Sequence, residues 1–355
     1  MTTTESPSTI GSPSSDTLRV PADLLEYYDE LVRAEVARVL ADGADTTLGR
    51  VIASYPSRRG KGLRPALLLA TCEAFGGDVR DGLATAVALE LMHNAFLVHD
   101  DVEDDSARRR GQPSLHVEHG VPMAVHAGDA LAVRAILPLL DQPRLSAHLV
   151  RRVTREFLDT ASRTLEGQGM ELGWRDDPRI DLSLDDYLRL VLAKSCWYTT
   201  IFPLRAGCLI GGRASVPLGP LTNFGFLLGA AFQVRDDLLD LTGDPAAHGK
   251  EARSDLREGK RTLPLIHLVG VVEGQDRRWL ERFLGRPPAS RTDNDVATVL
   301  DLMDRHGSIT TAQAWSQGLA IGARAAFGAA FERAVSPFHV RGIEQMIDFV
   351  IERVA

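Results

Sequence analysis

Hydrophobic and polar positions follow a helical period along almost the whole chain. Apolar residues recur three and four positions apart from Pro21 to about Ala41, which is the spacing of one face of an α-helix. The same period predicts a buried, Ala-rich helix over residues 122–140, an amphipathic helix from about Arg144 to Gly169, and helices through residues 264–355. Sustained alternation of period two, the pattern of a half-buried strand, is missing. The pattern therefore predicts an all-α fold, a bundle of long helices around a central cavity.

The ends of the chain and its apolar stretches bear on domain organisation and location. Residues 1–17 are rich in Ser, Thr and Pro and poor in apolar residues, which predicts a disordered tail. We expect residues 18–355 to form one helical domain, because single helical domains of this size occur. The longest apolar stretch is interpreted as Leu221 to Val234, which is too short for a membrane span. Without an N-terminal apolar run, we expect a cytoplasmic protein with no stable membrane anchor.

Composition narrows the class of partner. The chain has 355 residues and a net charge of −8, which disfavours nucleic acid as a partner. Cys72, Cys196 and Cys208 are scattered and form no CxxC pair, which fits a reducing compartment and no zinc site. Because the net charge of the protein is negative, an anionic substrate would need cationic groups close to its binding site.

An acidic cluster ends one of the apolar helical runs. In residues 87–111, VALELMHNAFLVHDDVEDDSARRRG, the apolar part is followed by Asp100, Asp101 and Asp104. Asp100 and Asp104 are four residues apart, so on a helix they share one face. Clustered carboxylates repel unless a cation neutralises them, and Mg²⁺ prefers such oxygen ligands. The arginines that follow are suited to phosphate. Alone, this stretch fits a metal–diphosphate site and a solvated, salt-bridged helix end equally well.

A second acidic cluster repeats the spacing of the first. Residues 224–240, FGFLLGAAFQVRDDLLD, end another apolar run and contain Asp236, Asp237 and Asp240. Two such clusters at the ends of core helices are hard to explain by solvation, because buried carboxylates need partners. We therefore expect the two clusters to face each other across a cavity and to hold metal ions and a diphosphate between them.

Basic side chains lie close to these clusters in the sequence or inside apolar helices. Residues 57–65, SRRGKGLRP, form a basic loop or helix start that can hold an anion. Lys194 lies in an apolar helix, and a buried lysine needs an anion nearby, although a lysine that reaches solvent is the alternative. His93 lies seven residues before Asp100 on nearly the same helix face. A core histidine is its simplest interpretation.

Taken together, the motifs resemble those of a known family. DDVED followed by RRG, then DDLLD, with GKGLRP upstream and EGKRTLP downstream, are similar to the motifs of the trans-prenyltransferases. These are the short-chain isoprenyl diphosphate synthases, which include farnesyl and geranylgeranyl diphosphate synthases. The resemblance runs from about Lys61 to about Pro264 in the family's order of motifs. It implies an isoprenoid synthase-type bundle, Mg²⁺ as cofactor, isopentenyl diphosphate and an allylic diphosphate as substrates, and a homodimer.

The resemblance also implies roles for individual residues. Magnesium would be bound by Asp100, Asp104 and Asp236, and its shells would be completed by Asp101, Asp237 and Asp240. Isopentenyl diphosphate would be held by Lys61, Arg64, His93 and Arg110. The allylic diphosphate and the reacting centre would be contacted by Arg109, Lys194, Ser195, Gln233, Lys250 and Lys260. Ser195 stands where the family has threonine, which keeps the hydroxyl.

The implied reaction is a head-to-tail condensation. The allylic diphosphate ionises, the double bond of isopentenyl diphosphate attacks the carbocation, and a proton is lost. Two other functions use similar parts: a class I terpene cyclase, and a non-catalytic partner subunit of a larger synthase. The basic loop with Lys61 and Arg64, and a further arginine that would bind the second diphosphate, argue against the cyclase. Intact carboxylates in both clusters argue against the partner subunit.

Product length is expected to depend on the helix that precedes Asp100. Phe96 is four residues earlier, about 6 Å down the same face, with Ala95 beside it. In the family, bulk at these two positions sets the floor of the cavity. One aromatic and one small residue imply a partly open floor, so we expect the C20 product, geranylgeranyl diphosphate, with C15 farnesyl diphosphate as the alternative. Plain core packing is another interpretation of Phe96.

Overall fold

The computed structural model describes residues 21–352, except residues 57, 59, 61, 177–180, 214 and 244–252. The tail predicted for residues 1–17, together with Lys61 and Lys250, lies outside the described residues. Within the described part, the chain folds almost wholly into helices, with one two-stranded hairpin. The predicted all-α fold is therefore confirmed.

The helices are α1 Pro21–Ala41, α2 Thr47–Ser54, α3 Leu63–Ala74, α4 Val79–Glu103, α5 Leu115–His119, α6 Val121–Leu140, α7 Ala147–Asp176, α8 Leu184–Val191, α9 Phe202–Gly211, α10 Gly219–Thr242, α11 Ser254–Glu258, α12 Leu263–Val271, α13 Gly274–Leu284, α14 Asp293–Arg305, α15 Ser308–Phe331 and α16 Pro337–Glu352. A π-helical segment, Leu192–Ile201, joins α8 to α9, and a 3₁₀ turn, Pro288–Ser290, precedes α14. The strands are β1 Arg108–Arg109 and β2 Gln112–Pro113.

Helix α4 carries the first acidic cluster at its C-terminal end. Its N-terminus is fixed by a capping box, in which the Asp78 side chain accepts from the backbone N–H of Arg80 at 2.9 Å and the Asp81 side chain accepts from that of Asp78 at 3.3 Å. Such a box satisfies backbone donors that the first turn leaves free. The helix then runs through the core against α3 and α6, and Asp100 lies in its last turn.

A tight hairpin follows α4 and turns the chain back towards the cluster. Strands β1 and β2 pair antiparallel, with Arg109 opposite Gln112. The two loop residues, Arg110 and Gly111, both have positive φ, at 53° and 76°. Positive φ at both positions is the geometry of a type I′ turn. The hairpin brings Arg109 back onto the carboxylates at the end of α4.

The π-helical segment is clasped between α7 and α10. A Cβ on Gly167 of α7 would lie 2.4 Å from the backbone nitrogen of Lys194, and a Cβ on Gly229 of α10 would lie 3.1 Å from the Cα of Cys196. Glycine at these positions therefore allows the helices to approach the segment closely. Segments of this kind occur frequently at functional sites.

Helix α6 differs from its prediction. The helix expected over residues 122–140 is right in extent, but the expectation that it is buried is wrong, because Val133 and Leu137 are 65% and 58% exposed. Among the described helices, α6 is the one long and apolar enough to cross a membrane by length and composition, a test that the core helix of a soluble protein also passes.

Candidate active site

A cavity of about 570 Å³ lies between α4, α7, α10 and the π-helical segment. Both acidic clusters contribute to its walls, through Asp100 of α4 and through Asp236 and Asp240 of α10. The cavity is also lined by Arg64, His93, Phe96, Arg109, Glu171, Lys194, Ser195, Tyr198, Gln233 and Lys260, among others. The expectation that the two clusters share one chamber therefore agrees with the structure.

The first two aspartates of the first acidic cluster, Asp100 and Asp101, have different surroundings. Asp100 is partly exposed to the cavity, 3.1 Å from Nη2 of Arg109 and 3.6 Å from Nζ of Lys194. Asp101 is buried and accepts from Nε of Arg109 at 2.6 Å and from the hydroxyl of Tyr55 at 3.0 Å. Burial raises the pKa of Asp101. Asp100 thus faces the chamber, whereas Asp101 anchors Arg109.

Asp104 is held by two cations. Its carboxylate accepts from Nη1 of Arg175 at 2.6 Å and from Nζ of Lys260 at 2.7 Å, and its side chain is 1% exposed. Sequence reasoning missed Arg175, because the helix predicted to end near Gly169 runs on to Asp176. A predicted metal ligand is therefore neutralised by the protein's own side chains in this structure.

The second cluster also combines an aspartate that faces the cavity with a buried one. Asp236 is exposed in the cavity wall, and within the described part of the chain its carboxylate forms no hydrogen bond or ion pair. Asp237 is buried and accepts from the hydroxyl of Tyr187 at 2.7 Å. Burial raises the pKa of Asp237 to about 8. Asp236 is therefore the carboxylate of this cluster that is available to a ligand.

A chain of hydrogen bonds orients Gln233. Its Nε2 donates to Asp237 at 2.9 Å, and its Oε1 accepts from the hydroxyl of Ser195 at 2.7 Å. Because Asp237 is fixed in turn by Tyr187, the amide of Gln233 is held at the cavity wall from both ends. Tyr187 was missed, since it lies about fifty residues from its partner in the sequence.

Asp240 fastens the segment that leads to Lys260. One carboxylate oxygen accepts from the backbone N–H and the hydroxyl of Ser254, at 3.1 and 2.9 Å, and the other accepts from the N–H of Asp255 at 3.1 Å. Lys260, at the far end of this segment, contacts Asp104 of the first cluster. The segment therefore connects the two clusters, and its Lys260 lines the cavity.

The anion predicted beside Lys194 is a carboxylate of the protein itself. Its Nζ donates a short hydrogen bond to Glu171 of α7 and lies 3.6 Å from Asp100. Burial alone would lower the pKa of Lys194, but the carboxylates of Glu171 and Asp100 raise it above its usual value. The ammonium therefore stays charged inside the chamber. Glu171 was not foreseen, because an acidic residue on an amphipathic helix carries no local signal of its partner.

The basic end of the cavity holds Arg64 and His93. Nη1 of Arg64 lies 3.4 Å from Nε2 of His93, which must accept because a guanidinium can only donate. Burial, and then the charge of Arg64, hold the pKa of His93 well below its usual value, so the imidazole is neutral. The Arg110 guanidinium instead donates to the carbonyl of Arg58 at 2.8 Å, and Arg110 does not line the cavity.

The donor set of the chamber fits divalent cations that are shared with a diphosphate. Within the described residues, no three His, Cys, Asp or Glu side chains already form a closed metal site. None is required, because Mg²⁺ shared with phosphate keeps waters and uses one or two protein carboxylates. Asp100 and Asp236 supply such oxygens to the same cavity. Asp104 would join them only by exchanging Arg175 or Lys260 for the metal.

Comparison with known proteins agrees with this geometry. The polyprenyl synthetase family model matches residues 45–303. A short chain isoprenyl diphosphate synthase from Methanothermobacter thermautotrophicus is 32% identical over 292 residues, which are 82% of this chain and 87% of that protein.

Solved structures give the same result. Geranylgeranyl pyrophosphate synthetase from Pyrococcus horikoshii superposes with a TM-score of 0.82 at 28% identity, covering 94% of this chain and 98% of that one. Geranylgeranyl pyrophosphate synthase from Corynebacterium glutamicum, solved with isoprenyl diphosphate and magnesium, gives a TM-score of 0.82 at 25% identity, covering 93% and 99%. This chain therefore belongs to the polyprenyl synthetase family, whose members are prenyltransferases.

Proposed function

We propose that the protein joins isopentenyl diphosphate head to tail with an allylic diphosphate, in the presence of Mg²⁺, to give all-trans geranylgeranyl diphosphate. One observation carries the proposal: two carboxylate walls and the cations Lys194, Lys260 and Arg64 surround a single cavity. The geranylgeranyl pyrophosphate synthases of P. horikoshii and C. glutamicum, which share the fold, support the C20 product.

The chain's own groups divide the reaction between them. Lys194 and Lys260 place positive charge where the allylic C–O bond breaks and the diphosphate leaves with the bonding electrons. Mg²⁺ held by Asp100 and Asp236 would add further neutralisation of that leaving group. Arg64 would hold isopentenyl diphosphate by its diphosphate group. The double bond of isopentenyl diphosphate attacks the allylic carbon and forms the new C–C bond.

Loss of a proton completes the reaction. The new bond to C4 of the isopentenyl unit leaves the positive charge on C3, so the proton leaves the adjacent C2, a double bond forms between C2 and C3, and the released diphosphate accepts the proton. The apolar part of the wall, which includes Phe96 and Phe232, excludes the water that would otherwise trap the cation.

Product identification tests this function. The full-length protein is incubated with Mg²⁺, isopentenyl diphosphate and each allylic starter, and the products are identified by mass spectrometry. A C20 diphosphate supports the proposal, and a C15 product would make the protein a farnesyl diphosphate synthase. A hydrocarbon formed without isopentenyl diphosphate would identify a terpene cyclase. No turnover would indicate a partner subunit.

Replacing Phe96 by alanine should lengthen the product. Phe96 lines the cavity, whereas Ala95 is buried and 1% exposed, so removal of the Phe96 ring extends the space for the growing tail. We expect the main product to gain at least one C5 unit, as measured by chromatography and mass spectrometry of the dephosphorylated products. Phe226→Ala is the matched control, because Phe226 is half-buried and outside the cavity wall. An unchanged product distribution would remove Phe96 from the floor.

We propose that the protein is a homodimer, and the uncovered face of α6 supports this. Exposed apolar side chains follow one face of α6 and continue on α7, which contacts α6. They are Val121, Val125, Val133, Leu137, Leu140 and Leu158. Exposed apolar surface of this kind marks an interaction site, and a second copy would cover it.

Charge on this face should disrupt the dimer. We expect the double variant Val133→Glu/Leu137→Glu to shift the mass measured by light scattering from dimer to monomer, because two carboxylates would have to be buried without partners. Ile321→Glu, at an exposed position of α15, should leave the dimer intact. A monomeric wild type, or a double variant that stays dimeric, would contradict the proposal. In the former case, binding to lipid vesicles would assign the face to a membrane.

A further inference from the structure

Tyr198 lies between the basic end of the cavity and its apolar floor. It belongs to the π-helical segment, four residues after Lys194, and it lines the cavity. Its hydroxyl accepts from Nη2 of Arg64 at 3.2 Å, and the guanidinium carbon of Arg64 lies 4.6 Å from the centre of its ring. The tyrosine therefore fixes Arg64 both by a hydrogen bond and by a cation–π contact.

The same ring contacts two side chains of α4. It stacks on His93, with ring centres 5.7 Å apart and planes 30° apart, and it meets the edge of Phe96 at 5.8 Å and 76°. His93 and Phe96 are three residues apart and so share one face of the helix. Edge-to-face and offset stacked pairs at these distances are the favourable arrangements of aromatic rings.

These contacts connect two parts of the site that the reaction uses separately. Arg64 and His93 form the basic end, where the isopentenyl diphosphate would bind, and Phe96 limits the space for the growing chain. Tyr198 is the ring that touches all three. A shift of Tyr198 would therefore reach both the diphosphate group of one substrate and the tail of the other.

We infer that Tyr198 is a positioning and specificity-determining residue: its hydroxyl orients Arg64 towards isopentenyl diphosphate, and its ring supports Phe96 as the floor of the tail cavity. This inference rests on the proposed function. The effect of the hydroxyl on Arg64 and the effect of the ring on Phe96 can be measured separately, because Tyr198→Phe removes the hydroxyl and keeps the ring, whereas Tyr198→Leu removes both.

The hydroxyl is tested by binding and kinetics. Isothermal titration of the full-length protein with isopentenyl diphosphate should show about five- to tenfold weaker binding for Tyr198→Phe, the usual effect of losing one intramolecular hydrogen bond. The KM for isopentenyl diphosphate should rise by a similar factor, with kcat and the KM for the allylic substrate unchanged. Tyr27→Phe, at a half-buried tyrosine of α1, is the matched control and should bind like wild type.

The ring is tested by product analysis. Tyr198→Leu should shift the products towards longer chains, as Phe96→Ala does, while Tyr198→Phe keeps the wild-type distribution. Thermal unfolding of both variants reports whether the fold is intact. Wild-type products from Tyr198→Phe beside longer products from Tyr198→Leu would show that the ring, and not the hydroxyl, limits the chain length.

Two results would overturn the inference. One is wild-type affinity for isopentenyl diphosphate in Tyr198→Phe, or an equal loss of affinity for the allylic substrate. The other is an unchanged product distribution in a folded Tyr198→Leu variant. A wild-type protein that binds isopentenyl diphosphate but makes no elongated product would instead refute the proposed function, and the titration would still decide the role of the hydroxyl.

Discussion

Replacing Asp236 by asparagine should reduce kcat/KM for prenyl elongation by about 10³-fold or more. The substitution keeps the shape of the side chain and removes one negative charge from the cavity wall. Asp236 is exposed in that wall and, within the described residues, is not engaged by a protein cation. Loss of a carboxylate that helps to hold a divalent cation removes several kcal/mol of charge stabilisation, and 10³-fold corresponds to about 4 kcal/mol.

The measurement needs a readout that does not depend on turnover. Calorimetric titration with inorganic diphosphate in the presence of Mg²⁺ should show strong binding to wild type and much weaker binding to Asp236→Asn. Asp301→Asn, at an exposed position on α14 that pairs with Arg305, removes the same charge away from the cavity and should change neither result. An Asp236→Asn variant that keeps a tenth or more of its activity would rule Asp236 out as an essential ligand.

The different roles within each acidic cluster explain why this prediction concerns Asp236 and not its neighbours. The resemblance implied that Asp100, Asp104 and Asp236 bind the metal directly and that Asp101, Asp237 and Asp240 complete its shells. In the structure, Asp100 and Asp236 face the chamber, whereas Asp101 and Asp237 are buried against tyrosine hydroxyls. Asp240 caps the segment that carries Lys260. Spacing predicts which residues share a helix end, but the side chain that faces the cavity depends on the packing of the neighbouring helices.

Much of the fold was accessible from the sequence, because helical periodicity is a local property. The extent of α1 and α6 follows from it, and so does the placement of both clusters at helix ends. The partners that neutralise the site were not accessible. Arg175 reaches Asp104 across 71 residues of chain, and Lys260 reaches it across 156. Such pairs depend on tertiary packing, which a single sequence does not display.

The exposed face of α6 was missed for a related reason. An apolar helix has the same composition whether its outer face is covered by its own chain, by a second copy or by nothing. Periodicity gave the length of α6, but only the surrounding helices decide that Val133 and Leu137 remain uncovered. The same limit applies to the π-helical segment, since the close approach of α7 and α10 to it is a property of the tertiary packing.

Lys194→Met should separate the catalytic role of the ammonium from its structural role. Methionine has a similar length and no charge, so kcat/KM should fall about 10²-fold or more, because a cation beside the leaving diphosphate is lost. Stability should fall as well. Glu171 would remain as an unpaired carboxylate whose side chain is 10% exposed. Breaking a fully buried ion pair costs about 3–5 kcal/mol, and since Lys194 is 22% exposed we expect about 2 kcal/mol.

The double variant Lys194→Met/Glu171→Gln distinguishes the two losses. Glutamine fills the volume of Glu171 without its charge, so the free energy of unfolding, measured by urea denaturation, should recover most of the 2 kcal/mol or so lost in the single variant. The activity should not recover, because the ammonium is still missing. Recovery of both would mean that Lys194 serves only to neutralise Glu171. Recovery of neither would mean that the two side chains are not energetically coupled, although Glu171 is the carboxylate that contacts Lys194 most closely.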